Sequence, residues 1–476
     1  MDTTQERFVQ TLKEVILKKE KDGTSPQFEN MLAVSFFLNN HPALDEDLSY
    51  KNKYLSVLEY FVNNYAKDSM FALAALDVYK SVLLGNNVSS YTYACKDINS
   101  QAKWIARTRF RSFKLFSNRF ILAMDLAFLC SFGNSYKAHT IFNQLKSIYH
   151  ARYRDALESL YSVLYMEEDP TPKLRVVYPQ LNTWIENINY LKKSKSVVLF
   201  AANMSAGKST LINAIIGKKV NRSLNQACTA KLHYIYSKAS EDSFTYEYDH
   251  ILDLNADYET LMEDNASNCS NKISVGTAFK FLAPTDKRIC FIDTPGANFS
   301  RDSTHREIAY EAIRDAEYNT LVYAFAAGST GITDEFEYLS YIKRNCRHGC
   351  RLVFVLNKLD EYNESEDSID VSLGKVDADL KKIGFTDYEL YPVSGYAGYL
   401  AKRSISGEQY APNTPDFFDY MRCKARFNTP NFDFTRYYNI PANVVDFVKN
   451  SLSYDLEDFE LLQKSGMLGL EYALTR

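Results

Sequence analysis

The residues best suited to chemistry in this 476-residue chain lie in a short loop between two apolar runs. Residues 197–200 are apolar, the loop runs Ala202-Asn-Met-Ser-Ala-Gly-Lys-Ser-Thr210, and residues 211–217 form a second, amphipathic run. This order of strand, small-residue loop and helix is typical of a phosphate-binding loop, in which backbone N–H groups and the helix N-terminus attract a polyphosphate. A glycine-containing strand-to-helix turn without a ligand is the alternative.

Two side chains of this loop have specific roles in such a site. Lys208 is placed to reach the β- and γ-phosphates of a nucleotide, and the hydroxyl of Ser209 is placed to bind Mg²⁺. Ala202 replaces the first glycine of the usual pattern, which costs little if its φ is negative and roughly 1 kcal/mol if φ is positive. The candidate nucleotide-binding residues of the loop are Asn203, Ser205, Ala206, Gly207, Lys208, Ser209 and Thr210.

Three later apolar runs also end in polar residues. Residues 288–292 lead to Asp293-Thr-Pro-Gly296, residues 352–356 lead to Asn357-Lys-Leu-Asp360, and residues 389–393 lead to Ser394. We expect each run to be a parallel strand, and ligands of open α/β sheets bind at the carboxyl ends of the strands. The three segments are therefore expected to meet the phosphate-binding loop at one edge of a sheet.

The residue types at these strand ends are those of a GTP site. Asp293 can hold Mg²⁺ through a water molecule, and the N–H of Gly296 can meet the γ-phosphate. Asp360 can pair with two adjacent donors of guanine, and adenine would leave this carboxylate poorly paired, which can discriminate by roughly 10⁴. Asn357 and Lys358 can brace the loop and cover the base, and Ser394 completes the nucleotide-binding set. One such segment is weak evidence, but four in this order predict GTP binding.

The details resemble the dynamin superfamily of GTPases and, within it, the bacterial dynamin-like proteins. The resemblance rests on residues 204–214, above all on Ser205 two places before Gly207, and on residues 321–339 with their Thr-Asp-Glu sequence. It covers residues 194–400 well and residues 430–476 loosely. The first 190 or so residues carry no motif that resembles the family.

The resemblance implies further roles. Thr229 corresponds to the switch threonine that binds Mg²⁺ and orients the attacking water; an ordinary strand-entry threonine is the alternative. Ser205 corresponds to the residue that helps to hold a monovalent cation when two GTPase domains dimerise across the nucleotide; capping the loop is its alternative role. Lys208, Ser205 and Thr229 are thus the candidate catalytic residues. Ala297 cannot orient water as a glutamine would, so turnover is expected to be slow until dimerisation completes the site.

The composition of the chain argues against several binding functions and cellular locations. A net charge of −4 argues against non-specific nucleic-acid binding. The basic residues 103–114 are the exception, and we interpret them as one face of an amphipathic helix. Without an apolar run near 18 residues or a secretory leader, the sequence predicts neither a transmembrane span nor secretion. The eight cysteines show no disulfide framework, and Cys346 and Cys350 lack a second ligand pair for zinc. These features favour a cytoplasmic protein, with peripheral membrane contact as a further possibility that the family suggests.

The chain is expected to have two domains. Residues 1–193 have helical periodicity and predict an all-α domain, whereas residues 194–476 predict a dynamin-type GTPase domain with an irregular insertion at 404–445. The predicted fold class is therefore α/β, a P-loop GTPase domain with a mainly parallel sheet that follows a helical domain. The predicted strands lie near residues 196–201, 231–236, 244–249, 288–292, 320–325, 352–356 and 389–393.

The predicted function is GTP hydrolysis to GDP and phosphate, coupled to conformational change, self-association and membrane remodelling. A GTP-binding interaction module with little or no hydrolysis is the alternative, and Ala202 and Ala297 keep it open. A translation-type GTPase is disfavoured by the acidic balance. Dynamin-family proteins usually continue into a helical stalk with a lipid-binding tip, and nothing in this sequence resembles such a tip. We therefore expect this chain alone to bind GTP without tubulating liposomes, a partner dynamin-like chain being one source of the stalk.

Overall fold

The computed structural model describes most of the chain from residue 41 onwards. The residues described are 38, 41–107, 109–111, 114–116, 118–131, 134–220, 231–241, 244–249, 252–253, 255–266, 272–280, 285–296, 303–328, 333–363, 368–451 and 456–476. Among them, no helix is both long enough and apolar enough to cross a lipid bilayer.

The described residues before the sheet are mainly helical, as predicted. Asp47 begins the first helix by accepting a hydrogen bond from the N–H of Tyr50 (2.8 Å), and Leu55, Leu58 and Val62 share its buried face. The second helix begins after the capping residue Ser69 and ends at Gly85 with a positive φ. The helices are α1 (Leu48–Tyr65), α2 (Met70–Leu84), α3 (Ile98–Ile105), α4 (Arg119–Ser131), α5 (Ser135–Ile148), α6 (Arg154–Tyr165) and α7 (Tyr178–Lys192).

The basic stretch at 103–114 is only partly helical, so our interpretation of it as one amphipathic helix was wrong. Helix α3 ends at Ile105, and the antiparallel strands β1 (Arg109–Arg111) and β2 (Lys114–Phe116) follow. Cationic and apolar residues alternate over 109–111, which is the period of a strand and not of a helix.

A buried carboxylate joins four segments of the helical part. Asp125 of α4 is fully buried and accepts hydrogen bonds from Tyr54 of α1 (2.5 Å) and Tyr79 of α2 (2.9 Å). It also lies 2.9 Å from Nε2 of His41, in the turn before α1. Burial and the Asp125 carboxylate both raise the pKa of Tyr54 and of Tyr79, which keeps these phenols protonated as donors.

The described residues of the remainder of the chain form a nine-stranded sheet flanked by helices. The spatial order is β11-β10-β9-β3-β8-β4-β7-β5-β6; β4 runs antiparallel to β8, and β5 runs antiparallel to β6 and β7, while the other pairs are parallel. The strands are β3 (Lys195–Ala202), β4 (Leu232–Ser237), β5 (Tyr246–Tyr248), β6 (Leu252–Asp253), β7 (Lys272–Thr277), β8 (Arg288–Asp293), β9 (Thr320–Ala326), β10 (Arg351–Asn357) and β11 (Glu389–Pro392).

The α/β prediction is confirmed, and each of the seven predicted strands is present. Strands β6 and β7 were missed because β6 has two residues and β7 contains a glycine and polar residues. The helices of this part are α8 (Lys208–Ile216), α9 (Tyr258–Ala266), α10 (Ser303–Asp315), α11 (Thr333–Asn345), α12 (Ile369–Ile383), α13 (Gly395–Ile405), α14 (Pro415–Phe427), α15 (Ala442–Ser451), α16 (Leu456–Lys464) and α17 (Met467–Thr475).

Residues 404–445, predicted to be irregular, are largely helical. Helix α14 occupies the middle of this stretch, and two short 3₁₀ helices follow it. Its start is specified locally, because Thr414 accepts a hydrogen bond from the N–H of Phe417 (3.3 Å) and Pro415 occupies the first helical position. The density of Pro, Asn and aromatic residues concealed this signal.

The helical part is attached to the sheet through a short, hydrogen-bonded connection. Only Lys193 and Ser194 separate α7 from β3, and Arg288 of β8 binds the carbonyl oxygens of both, through its backbone N–H to Ser194 (2.9 Å) and through Nε to Lys193 (3.1 Å). Tyr190 of α7 also donates to the carbonyl oxygen of Ser237 at the end of β4 (3.1 Å). The last helix before the sheet is thus bonded to β4, and the connection that follows the helix is bonded to β8.

We predict that Asp125→Ala strongly destabilises the helical part. The substitution leaves His41, Tyr54 and Tyr79 buried without their shared acceptor, which should cost about 3–5 kcal/mol. Urea unfolding followed by circular dichroism measures the loss. Asp77→Ala is the matched control. That side chain also lies on a helix of this part, but it is 75% exposed, and its ion pair with Lys80 is long, at 3.6 Å. An equal urea midpoint for the two variants would contradict the prediction.

Candidate functional site

The loop between β3 and α8 has the backbone geometry of a phosphate-binding loop. Ala202 is the buried last residue of β3 and has a negative φ, so alanine fits there without strain. Ser205 and Gly207 adopt left-handed φ values of 64° and 78°. A Cβ on Gly207 would lie 2.7 Å from Nδ2 of Asn357, so no side chain can be added at that position. Helix α8 begins at once after this glycine and directs its N-terminus at the loop.

Lys208 and Ser209, the first residues of α8, meet Asp293 at the end of the neighbouring strand β8. The ammonium group of Lys208 contacts the Asp293 carboxylate, and Oγ of Ser209 lies 3.3 Å from Oδ2 of Asp293. Lys208 and Asp293 are buried. Because β3 and β8 are paired in parallel, their carboxyl ends bring these groups together. A hydroxyl beside a carboxylate is a hard oxygen set of the kind that Mg²⁺ prefers, and it therefore fits this ion.

The Asp-Thr-Pro-Gly turn lies against the phosphate-binding loop. Oγ1 of Thr294 donates to the carbonyl oxygen of Phe200 in β3 (2.8 Å), which fixes the start of the turn. A Cβ on Gly296 would lie 3.2 Å from Cα of Met204, so the close approach of the two backbones favours a residue without a side chain. The turn therefore presents its backbone directly to the loop.

Asn357 connects the loop to two other segments. At the end of β10, its Nδ2 donates to the carbonyl oxygen of Ala206 (3.0 Å), and its Oδ1 accepts from the N–H of Gly395 (3.0 Å). Lys358, with φ 66°, places Cε of its side chain 3.5 Å from where a Cβ of Gly207 would stand. Asn357 and Lys358 thus pack on the phosphate-binding loop.

Asp360 is held in place by Ser394. Oγ of Ser394 donates to Oδ1 of Asp360 (2.6 Å) and accepts from the N–H of Ala397 (3.1 Å), which makes Ser394 the cap of α13. Ser394 is fully buried, whereas Asp360 retains 5% exposure. Burial and the Asp360 carboxylate raise the pKa of Cys423, on α14, to about 12, so this thiol stays neutral. The buried hydroxyl of Ser394 therefore holds the Asp360 carboxylate at this edge of the sheet.

The described candidate residues meet at the carboxyl ends of β3, β8, β10 and β11. Thr229 and Ala297 lie outside the described residues. Among the described residues, no group of three or more His, Cys, Asp or Glu side chains could hold a metal ion. The predicted residues that do meet at this edge are Asn203, Ser205, Ala206, Gly207, Lys208, Ser209, Thr210, Asp293, Gly296, Asn357, Lys358, Asp360 and Ser394.

Sequence reasoning missed a polar group behind the phosphate-binding loop. Burial and the carboxylate of Glu335 raise the pKa of Tyr323, which is fully buried in β9. Oδ1 of Asn203 is buried without a hydrogen-bond partner in the described part of the chain. Position 323 lies within an otherwise apolar strand pattern, and the only sequence signal was the polar hydroxyl at a core position.

Comparisons with known proteins agree with this geometry. Residues 198–359, from β3 to the loop after β10, match the model of the dynamin family. A curated protein of Arabidopsis thaliana, described as a probable transmembrane GTPase FZO-like, chloroplastic, is 25% identical over 211 residues, which cover 44% of this chain. The chain spans about a fifth of the length of that relative, since the match covers 20% of it.

Two solved structures are also similar. A variant of Era from Aquifex aeolicus, bound to GDP and aluminium fluoride, is 18% identical with a TM-score of 0.28 over 47% of this chain and 60% of that one. A bacterial selenocysteine-specific elongation factor, EF-Sec, is 16% identical with a TM-score of 0.27 over 45% of this chain and 28% of that one. Residues 198–359 of the sheet region are thus similar to the dynamin family.

We predict that Lys208→Ala removes most of the GTP binding. A polyphosphate at the N-terminus of α8 then lacks its main point charge, and the buried Asp293 carboxylate loses its cation. Isothermal titration calorimetry measures the affinity, with Lys219→Ala as a control cation further along the chain. Binding of GTP by the Lys208 variant with the affinity of the parent would contradict the prediction.

We also predict that Asp360→Asn changes the base preference from guanine towards xanthine. Xanthine has an acceptor where guanine has a donor, and the new amide can donate to it. Competition between GTP and xanthosine triphosphate measures the change. Asp370→Asn, an exposed carboxylate on α12, is the control. An unchanged preference for guanine in the Asp360 variant would refute the role of Asp360.

Proposed function

We propose that this chain hydrolyses GTP to GDP and phosphate and couples the reaction to a conformational change. The observation that carries the proposal is the double hydrogen bonding of Asn357. Its amide links the phosphate-binding loop, at Ala206, to the segment that holds Asp360, at Gly395. A phosphate site and a base site joined in this way suit one ligand that has both parts, a guanine nucleotide.

In this proposal each polar or charged residue of the site has its own role. Lys208 binds the β- and γ-phosphates, and Ser209 and Asp293 would hold Mg²⁺ directly and through water. Mg²⁺ would neutralise charge on the phosphate oxygens. Thr229 would orient the attacking water, and Asp360 would select guanine. Ser394, whose hydroxyl is engaged by Asp360 and by α13, would position Asp360 and leave contact with the base to the carboxylate.

Ser205 supports the dynamin type of activation. A non-glycine residue at φ 64° is strained by about 1 kcal/mol, and such strain is retained where the loop has a task. Ser205 is also exposed, so a second copy of the domain can reach it. We propose that self-association across the nucleotide completes the site and that Ser205 then helps to hold a monovalent cation.

The competing function is a GTP-binding module with little hydrolysis. The negative φ of Ala202 removes one of the two features that favoured it, because the loop keeps its geometry without the first glycine. Ala297, which cannot orient water, continues to support it. The two functions differ in turnover and agree in binding.

Location and partners are further proposals. The Arabidopsis relative is described as a transmembrane GTPase, and a membrane is accordingly the first surface on which to test this protein. We propose peripheral membrane contact and a place in the bacterial dynamin-like branch, with a partner dynamin-like chain as a candidate partner.

We predict that GTP turnover per subunit rises with protein concentration and is faster in one of the two salts, sodium or potassium chloride. Dimerisation supplies the missing part of the site, and a monovalent cation can neutralise developing charge. Phosphate release over a hundredfold concentration range measures the rate, with Lys208→Ala as the blank. Turnover that is absent at every concentration, with GTP bound, would establish the binding module instead.

A further inference from the structure

The turn between α16 and α17 is hydrogen-bonded to the guanine side of the site. The carbonyl oxygen of Ser465 accepts a hydrogen bond from the N–H of Ser394 (2.9 Å). The hydroxyl of the same Ser394 donates to Oδ1 of Asp360 (2.6 Å). We call residues 465–466 the elbow. Two hydrogen bonds through one residue therefore connect the elbow to the carboxylate that selects the base.

The elbow has very little room to move. Gly466 has φ 78°, and a Cβ there would lie 2.5 Å from the carbonyl oxygen of Pro392 and 3.1 Å from the ring of Tyr438. The hydroxyl of Tyr438 donates to the same carbonyl oxygen (3.0 Å), and Pro392 is the last residue of β11. The backbone of the elbow is thus seated against the strand that leads into Ser394.

Helix α17 is held at a second point, on the phosphate side. Lys402 of α13 and Glu471 of α17 form an ion pair in which both side chains are at most 1% exposed. Nζ of Lys402 also donates to the carbonyl oxygen of Ile215 near the end of α8 (2.5 Å). Breaking a buried pair of this kind is strongly unfavourable, so α17 is docked firmly. One short helix thereby contacts the supports of both the base and the phosphates.

We propose that the elbow is a positioning element for guanine recognition, so that the docking of α17 sets the affinity and selectivity for the base. The inference rests on the proposed GTP site and adds to it a group remote from the ligand. Linkage makes the effect reciprocal: guanine nucleotide stabilises the docking of α17 by the same factor by which docking strengthens nucleotide binding. Ser394 is the intermediary, because it is hydrogen-bonded to both the elbow and Asp360.

A pair of glycine substitutions tests the proposal. Gly466→Ala introduces a side chain at positive φ and drives the elbow away from Pro392. Gly407→Ala is the matched control, because Gly407 has a positive φ of 88° and nothing within 4 Å of its added Cβ. Both variants carry the same backbone cost, and only the first displaces the elbow. GDP and inosine diphosphate are the probes, since inosine lacks the amino group that Asp360 is placed to bind.

We expect Gly466→Ala to weaken GDP binding by about tenfold and to reduce the preference for GDP over inosine diphosphate, because a misplaced carboxylate loses most on the ligand with two donors. Gly407→Ala should retain the preference of the parent. A Gly466 variant with lower affinity for both nucleotides and an unchanged preference would overturn the inference. A parent that binds neither nucleotide would instead refute the proposed GTP site itself.

Hydrogen exchange on the parent protein supplies a second measurement that needs no variant. Amides of residues 467–475 should exchange more slowly when GDP is bound than without nucleotide, and inosine diphosphate at equal saturation should protect them less. Equal exchange in α17 with and without GDP would overturn the inference even if Gly466→Ala fails to fold.

Discussion

The side-chain amide of Asn357 is the interaction on which the arrangement of the site depends. It comes from β10, yet its two hydrogen bonds go to the phosphate-binding loop after β3 and to the start of α13 after β11. Because it is 2% exposed, water competes poorly for either bond. Gly207 must lack a side chain for this amide to fit, and Gly395 must supply its N–H. Three loops from three strands therefore share one buried polar group.

The sequence predicted the parts of this site that are specified locally. Lys208, Asp293, Asn357 and Asp360 each follow an apolar strand, and parallel pairing of those strands brings their ends together. Strands β1 and β2 and helix α14 were wrongly predicted because composition was weighed above alternation and capping. The elbow is a different case. In the sequence, Gly466 indicates only the end of a helix. Its contact with β11 joins segments some 70 residues apart, and no local sequence pattern predicts such a contact.

The two halves of the molecule use buried charge in different ways. Asp125 is surrounded by donors that are themselves buried, so it stabilises a fixed arrangement of helices. Asp293 meets a lysine and a serine at the open end of a sheet, and Asp360 meets a serine while retaining some exposure. A carboxylate fixed among phenols serves folding, whereas carboxylates at strand ends, beside a phosphate-binding loop, are placed for a ligand.

The connection between α7 and β3 limits how the helical part can move relative to the sheet. Two residues have four soft backbone torsions, and the carbonyl groups of both Lys193 and Ser194 are bonded to Arg288, which restricts even these. Such a connection does not let α7 rotate independently of β3. A rotation of α7 must therefore be carried into β3, the strand that ends in the phosphate-binding loop, or must first break the bonds to Arg288. The helical part is therefore rigidly attached to β3, and a force applied to the helical part is transmitted to the sheet.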